Sequence, residues 1–234
     1  MNRPIAVSAS ILAANLGNLE RDIKRCEEAG VDRLHIDCMD GHFVPQLTIG
    51  PMIIEAVRRF TKLYLEAHLM IEHPGEYIEN YAEAGADCIQ LQLECYGTRR
   101  ASCRRWDQWP KEIDEVDVPT LRADLKKIRK LGKKAFVVVN PKTALCEEVL
   151  NDCDGVLIMS VNPGFSGQKF MPEVLPKIER LKTIFKGDIA IDGGINAQSA
   201  PLTVTAGAHV LISGSYLFSS PNFVDTVRHL KSLA

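Results

Sequence analysis

The chain has 234 residues, 46% of them hydrophobic and 25% charged, with a net charge of −2. That balance argues against a disordered chain and gives no global attraction to nucleic acid or to an anionic membrane surface. Seven cysteines, odd in number and without a C-x-x-C pair, argue against a disulfide framework or a cysteine-built zinc module.

In chain order, the first predicted strand is IAVSAS (5–10). SASILAANLGN runs from its end and holds no G-x-G-x-x-G nucleotide fingerprint. NLERDIKRCEEAG then shows the spaced apolar positions of an amphipathic helix, closed by Gly30. RLHIDCM (33–39) is the second strand. Side chains two apart in a strand share a face, so His35 and Asp37 point one way while Leu34, Ile36 and Cys38 point the other. Asp40-Gly41 turns the chain, MIIEAVRRF gives a helix, and YLEAHLM (64–70) is the third strand, with His68 near its end. AEAGADC closes the next helix and leads into CIQLQLE (88–94).

Tyr96 to Pro119 breaks this rhythm. It is long and irregular, and it carries Arg99, Arg100, Arg104, Arg105, Trp106 and Trp109. KAFVVVN (134–140), GVLIMSV (155–161), DIAIDGG (188–194) and VLISGS (210–215) complete eight strands. Strands alternating with helices specify a parallel sheet, and eight of them in a chain of this length favour a closed (β/α)8 TIM barrel. The expectation is a single domain over 1–234 with an extended loop at 96–119 after strand four. No apolar run approaches the length of a membrane span, so a cytoplasmic protein with no membrane partner is expected.

Such barrels carry their active sites where the strands end at the C-terminal face. The polar residues there are Ser8, Ser10, His35, Asp37, His68, Gln90, Gln92, Asn140, Ser160, Asn162, Asp192, Ser213 and Ser215. Of these, His35, Asp37, His68 and Asp192 can converge, a donor set that suits one divalent ion: zinc, iron, manganese or cobalt. A strand histidine is also an ordinary hydrogen-bonded core residue, and the residues alone leave both readings open. SVNPGFSGQKF (160–170), DGGIN (192–196) and SGSYLF (213–218) are glycine-bearing turns after strands six, seven and eight. Backbone N–H groups there can approach an anion, which points to a phosphorylated small molecule. Met39, Met70 and Met159 occur near strand ends, either as core fillers or as an apolar wall at the mouth. His42 follows the turn after strand two, and His73, His209 and His229 are assigned no chemistry. The short basic run reads as a solvated loop or a subunit contact, with no nucleic-acid partner.

HIDCMDGHFVPQLTIGP, EAHLMIEHP, VNPKT, MSVNPGFSGQKF, IDGGIN and SGSYLF together resemble the motifs of the ribulose-phosphate 3-epimerase family. The resemblance runs from about Ser8 to Phe218. It implies a ribulose-phosphate-binding barrel and a metal-dependent isomerase of the pentose phosphate pathway that interconverts ribulose 5-phosphate and xylulose 5-phosphate. Carried onto this chain, it implies metal ligation by His35, Asp37, His68 and Asp192, with Asp37 and Asp192 as acid/base carboxylates on opposite faces of the substrate. Ser10 and His68 would contact the sugar. Gly164, Phe165, Ser166, Gly167, Gly193, Gly194, Gly214 and Ser215 would hold its phosphate end, and Met39, Met70 and Met159 would surround the reacting carbon. A homo-oligomer is expected.

Three departures stand out: ASILAAN where the family usually has PSILSAD, Gln92 where it usually has histidine, and the long 96–119 segment. They keep open a 3-epimerase of another ketose phosphate, a hexulose such as allulose 6-phosphate or a tetrulose. A non-catalytic sugar-phosphate-binding protein also stays open, although it would need no pair of carboxylates.

Overall fold

The computed structural model describes residues 3–97, 113 and 115–233. Eight parallel strands close in chain order into a barrel: β1 (Ala6–Ser10), β2 (Arg33–Met39), β3 (Tyr64–Met70), β4 (Cys88–Gln92), β5 (Lys134–Val139), β6 (Gly155–Met159), β7 (Asp188–Asp192) and β8 (Val210–Ser213). β1 pairs with both β2 and β8, so the sheet has no open edge. Around it lie α1 (Leu19–Glu28), α2 (Pro51–Phe60), α3 (Ile78–Glu83), α4 (Val118–Lys130), α5 (Leu175–Ile184), α6 (Ser199–Ala206), α7 (Ser215–Phe218) and α8 (Phe223–Lys231).

One crossover departs from the alternating pattern. Between β5 and β6 the described chain makes only a 3-10 turn, Glu147–Val149. The crossover runs over residues 140–154, and Pro141 at its start biases Asn140 before it away from helix.

The strand alternation explains why two cores form. Leu34, Ile36, Ile89, Leu91, Val137, Val139, Ile189 and Ile191 face outward and are buried beneath the helices. On α4, Leu121, Leu125 and Ile128 recur at helical spacing and meet them, while the Asp117 side chain caps the helix by accepting from the Thr120 N–H. Inside the barrel, Phe136, Val138, Leu157, Met159, Ala190, Val210 and Ile212 fill one side. The other side is polar and buried: Ser8, Ser10, His35, Asp37, Glu66, His68, Gln90 and Gln92.

Buried charge is costly unless paired. Glu66 accepts from the Ser8 hydroxyl at 2.7 Å and from Arg33 at 3.0 Å, and Arg33 also reaches Asp188 at 2.8 Å. This network occupies the lower barrel and leaves the upper layer to the candidate site.

Of the long segment expected at 96–119, Gly97 and Val116 pair as an antiparallel bridge and α4 begins at Val118. The arginines and tryptophans of that segment fall in 98–112, outside the described residues. Among the described residues, no helix is long and apolar enough to cross a membrane.

Candidate active site

The strand that carries His35 and Asp37 is held at its end by the loop that follows. Asp40 accepts from the N–H groups of His42 and Phe43, each at 2.8 Å, and its other oxygen accepts from Glu72 N–H at 2.8 Å. Thr48 folds back to donate to the Asp37 carbonyl at 2.7 Å and to accept from Met39 N–H at 3.0 Å. DGHFVPQLT therefore ties the ends of β2 and β3 together. His42 faces outward in this loop and is exposed.

β2 and β3 pair with Asp37 opposite His68, which sets their side chains in one layer. His35 Nε2 lies 3.2 Å from His68 Nδ1 and 3.2 Å from Asp37 Oδ1. His68 Nδ1 lies 3.2 Å from Asp37 Oδ1, and Asp192 Oδ2, at the end of β7, is 3.8 Å from His35 Nε2. One donor atom from each of the four residues lies within 4.8 Å of every other.

Four donors around a tetrahedral zinc at 2.0–2.1 Å stand about 3.3 Å apart. The separations among His35, Asp37 and His68, 3.2 Å each, match that spacing, Asp192 stands somewhat farther out at 3.8 Å from His35, and two carboxylates with two imidazoles suit a first-row dication. The outer nitrogen of His68 is engaged as well. The Gln92 amide stands 2.9 Å from Nε2. The amide nitrogen is the atom placed toward the ring; with the amide turned by half a turn, its oxygen, which has no partner as placed, accepts Nε2–H and leaves the Nδ1 lone pair for a metal.

Burial and the neighbouring charges pull the four groups in different directions. Burial is the largest influence and disfavours a charged His35, yet the carboxylates of Asp37, Glu66 and Asp192 together outweigh it and raise the ring well above its ordinary range. Burial would raise Asp37, but the His35 charge and both imidazole hydrogen bonds hold it far below the usual carboxylate range. His68 is lowered, first by burial and then by the His35 charge. Asp192 is pushed well above the carboxylate range by burial, the Asp37 charge adding to it. A dication bound here would favour the ionised carboxylates and neutral imidazoles that ligation needs.

Above this cluster opens a cavity of about 250 Å³. Asp37 and Asp192 reach it, and its walls bring together Ser10, Met39, Met70, Met159, Gly164, Phe165, Ser166, Gly167, Gly193, Gly194, Gly214 and Ser215. Ser10 donates to Asp37 Oδ2 at 2.9 Å. The methionines are buried and form the apolar wall. His35 and His68 are wholly buried beneath the cavity and do not line it.

The turn after β7 requires its glycines. Gly193 has φ 118°, and an added Cβ would stand 2.8 Å from Val161 N; Gly194 has φ 63°, and its Cβ would stand 2.6 Å from Phe170 N. Ser160 donates to the Gly193 carbonyl at 2.7 Å, and Ser199 donates to the Gly194 carbonyl at 2.8 Å, fixing the turn against the cavity.

Three residues the sequence did not single out also bear on the site. Leu12 and Gln168 line the cavity. Glu66 stands beneath His35 and shares a face with His68, a placement the strand alternation already contains.

A mouth of this kind is that of a (β/α)8-barrel enzyme, with the chemistry at the strand ends. Solved structures share the fold. 3-Keto-L-gulonate-6-phosphate decarboxylase from Vibrio cholerae matches at TM-score 0.69 and 13% identity, covering 99% of this chain and 97% of its own. 3-Hexulose-6-phosphate synthase from Salmonella typhimurium matches at 0.68 and 15%, covering 98% of each chain. At such identities the likeness is one of fold alone.

Sequence relatives go further. Ribulose-phosphate 3-epimerases of Synechocystis sp. and Bacillus subtilis are 42% and 44% identical, over 99% and 97% of this chain and 95% and 98% of their own lengths. The Arabidopsis thaliana chloroplastic ribulose-5-phosphate-3-epimerase is 38% identical over 97% of this chain and 76% of its own. The model of the ribulose-phosphate 3 epimerase family matches residues 6–105 and 112–218, its gap falling inside the long segment after β4. The chain belongs to the ribulose-phosphate 3 epimerase family, and its class of reaction is epimerisation.

Proposed function

We propose that the protein is a metal-dependent epimerase that inverts carbon 3 of ribulose 5-phosphate to give xylulose 5-phosphate. The observation that carries this reading is the convergence of His35, Asp37, His68 and Asp192 directly beneath a cavity that both carboxylates reach. The cofactor is one divalent ion (zinc, iron, manganese or cobalt) held by those four residues. When bound, it supplies positive charge beside the substrate oxygens on which negative charge develops.

The chain's own groups carry the proton transfers. Carbon 3 is adjacent to the ketone, so losing its proton leaves an enediolate in which that carbon is planar. One carboxylate, Asp37 or Asp192, takes the proton from one face, and the other returns a proton to the opposite face. A single base could return the proton only to the face it came from. Ser10 holds Asp37 in place and stands where a sugar hydroxyl can meet it. Met39, Met70 and Met159 exclude water from the reacting carbon. The turns at Gly164–Gly167, Gly193–Gly194 and Gly214–Ser215 offer backbone N–H groups to the phosphate.

Gln92 lies against His68 rather than on the cavity wall, so that departure gives no reason to assign a different sugar. None of the six described cysteines is in a disulfide, in keeping with the cytoplasmic setting that the proposal includes; a homo-oligomeric form completes it. A coupled assay on pentulose, hexulose and tetrulose phosphates tests the substrate. Ribulose 5-phosphate should give the highest kcat/KM. A higher value for allulose 6-phosphate or for a tetrulose phosphate would reassign it.

A further inference from the structure

Each ligating imidazole has a second nitrogen, and what meets it decides which tautomer the ring adopts. His35 presents Nε2 to the cluster. Its Nδ1 points down into the barrel, is buried, and has no hydrogen-bond partner. Glu66 Oε2 stands 3.7 Å from that nitrogen, opposite it in the β2–β3 register. A small turn of the ring closes this gap to a hydrogen bond.

Glu66 is wholly buried and does not line the cavity, so it has no contact with substrate. Ser8 at 2.7 Å and Arg33 at 3.0 Å hold its carboxylate, and Arg33 is braced in turn by Asp188 at 2.8 Å.

We infer that Glu66 is a positioning residue for the metal centre: it accepts Nδ1–H of His35 and so fixes the tautomer whose Nε2 lone pair faces the ion. A neutral imidazole has one N–H and one lone pair. Were Nε2 to carry the proton, His35 would aim an N–H at the cation and the donor set would fall to three. An anionic acceptor behind the ring also makes the ligating nitrogen more basic, as outer carboxylates do for metal-bound histidines. The Arg33–Asp188 pair keeps that carboxylate charged and immobile at the bottom of the barrel. This inference rests on the metal reading proposed above.

Two measurements test it. In ¹⁵N-labelled wild-type protein loaded with zinc, long-range proton–nitrogen correlation spectra should show His35 protonated at Nδ1 and metal-bound at Nε2. Zinc ligation of His35 through Nδ1 would overturn the inference. Competition with a chromophoric chelator should show Glu66→Gln binding zinc about 10- to 100-fold more weakly than wild type, with the thermal midpoint of the metal-free proteins recorded alongside. If Glu66 served only to neutralise Arg33, the substitution would lower that midpoint and leave zinc affinity within about twofold, which would also overturn the inference. Should Glu66→Gln fail to fold, the wild-type spectra decide alone. A wild-type protein that takes up no zinc or other divalent ion removes the metal reading along with this inference. Equal binding by wild type and variant removes only this inference.

Discussion

Replacing Glu94 by Gln should flatten the pH dependence of stability between pH 5 and 7.5. Glu94 follows β4 and is buried beside the β5 end. One oxygen accepts from Asn140 N–H at 2.9 Å, while the other has no partner. Burial is the largest influence and pushes the carboxyl up to about 7 from 4.5, against the nearby Thr143 hydroxyl, the Asn140 N–H and the Lys177 charge. Because the folded-state pKa is raised, the folded protein holds a proton that the unfolded chain has released. Stability is therefore fully present below pH 4.5 and is lost as pH rises through 7. At 1.36 kcal/mol per pKa unit, the whole loss is about 3 kcal/mol, of which about 2 kcal/mol falls between pH 5 and 7.5. The window stops there because burial lowers Lys177, which donates to the Asn140 and Pro141 carbonyls, to about 8. Urea unfolding of wild type and Glu94→Gln, both saturated with the same divalent ion, gives the difference at each pH, and the metal's own pH dependence cancels. Parallel stability curves would show that Glu94 does not titrate in this range and would refute the reasoning.

Asp192→Asn, with its metal content measured in the same sample, should lose inversion more severely than it loses proton exchange from the epimer whose carbon-3 proton faces Asp37. Inversion at the wild-type rate in a metal-loaded sample would remove Asp192 from the mechanism. Gly194→Ala puts a Cβ 2.6 Å from Phe170 N at φ 63°. It should cost on the order of 1–3 kcal/mol in urea unfolding and raise KM for the sugar phosphate, and an unchanged KM would remove this turn from phosphate binding.

Much of the barrel was legible in the sequence because parallel strands buried on both faces alternate visibly when the inner face is polar. RLHIDCM shows this plainly: Leu34, Ile36 and Cys38 pack beneath the helices, while His35 and Asp37 turn inward. The glycines that punctuate the chain, Gly30, Gly85, Gly132 and Gly207, fall at the ends of α1, α3, α4 and α6. The same alternation in YLEAHLM places Glu66 beside His68, but attention to strand ends passes over a residue one layer below the mouth. Gln92 looked like a change in the substrate's surroundings, and its position against His68 depends on strand tilt and stagger, which no single strand encodes.

The central claim is that inversion requires the four-residue metal centre and proceeds by proton exchange at carbon 3. The most direct test follows ribulose 5-phosphate turnover in D₂O by NMR with the protein as purified, after chelation, and after reloading with zinc, iron, manganese or cobalt. Deuterium should enter at carbon 3 of the xylulose 5-phosphate formed, activity should disappear on chelation, and at least one of these ions should restore it. Full turnover by demonstrably metal-free protein, or product that carries no solvent deuterium at that carbon, would contradict the account.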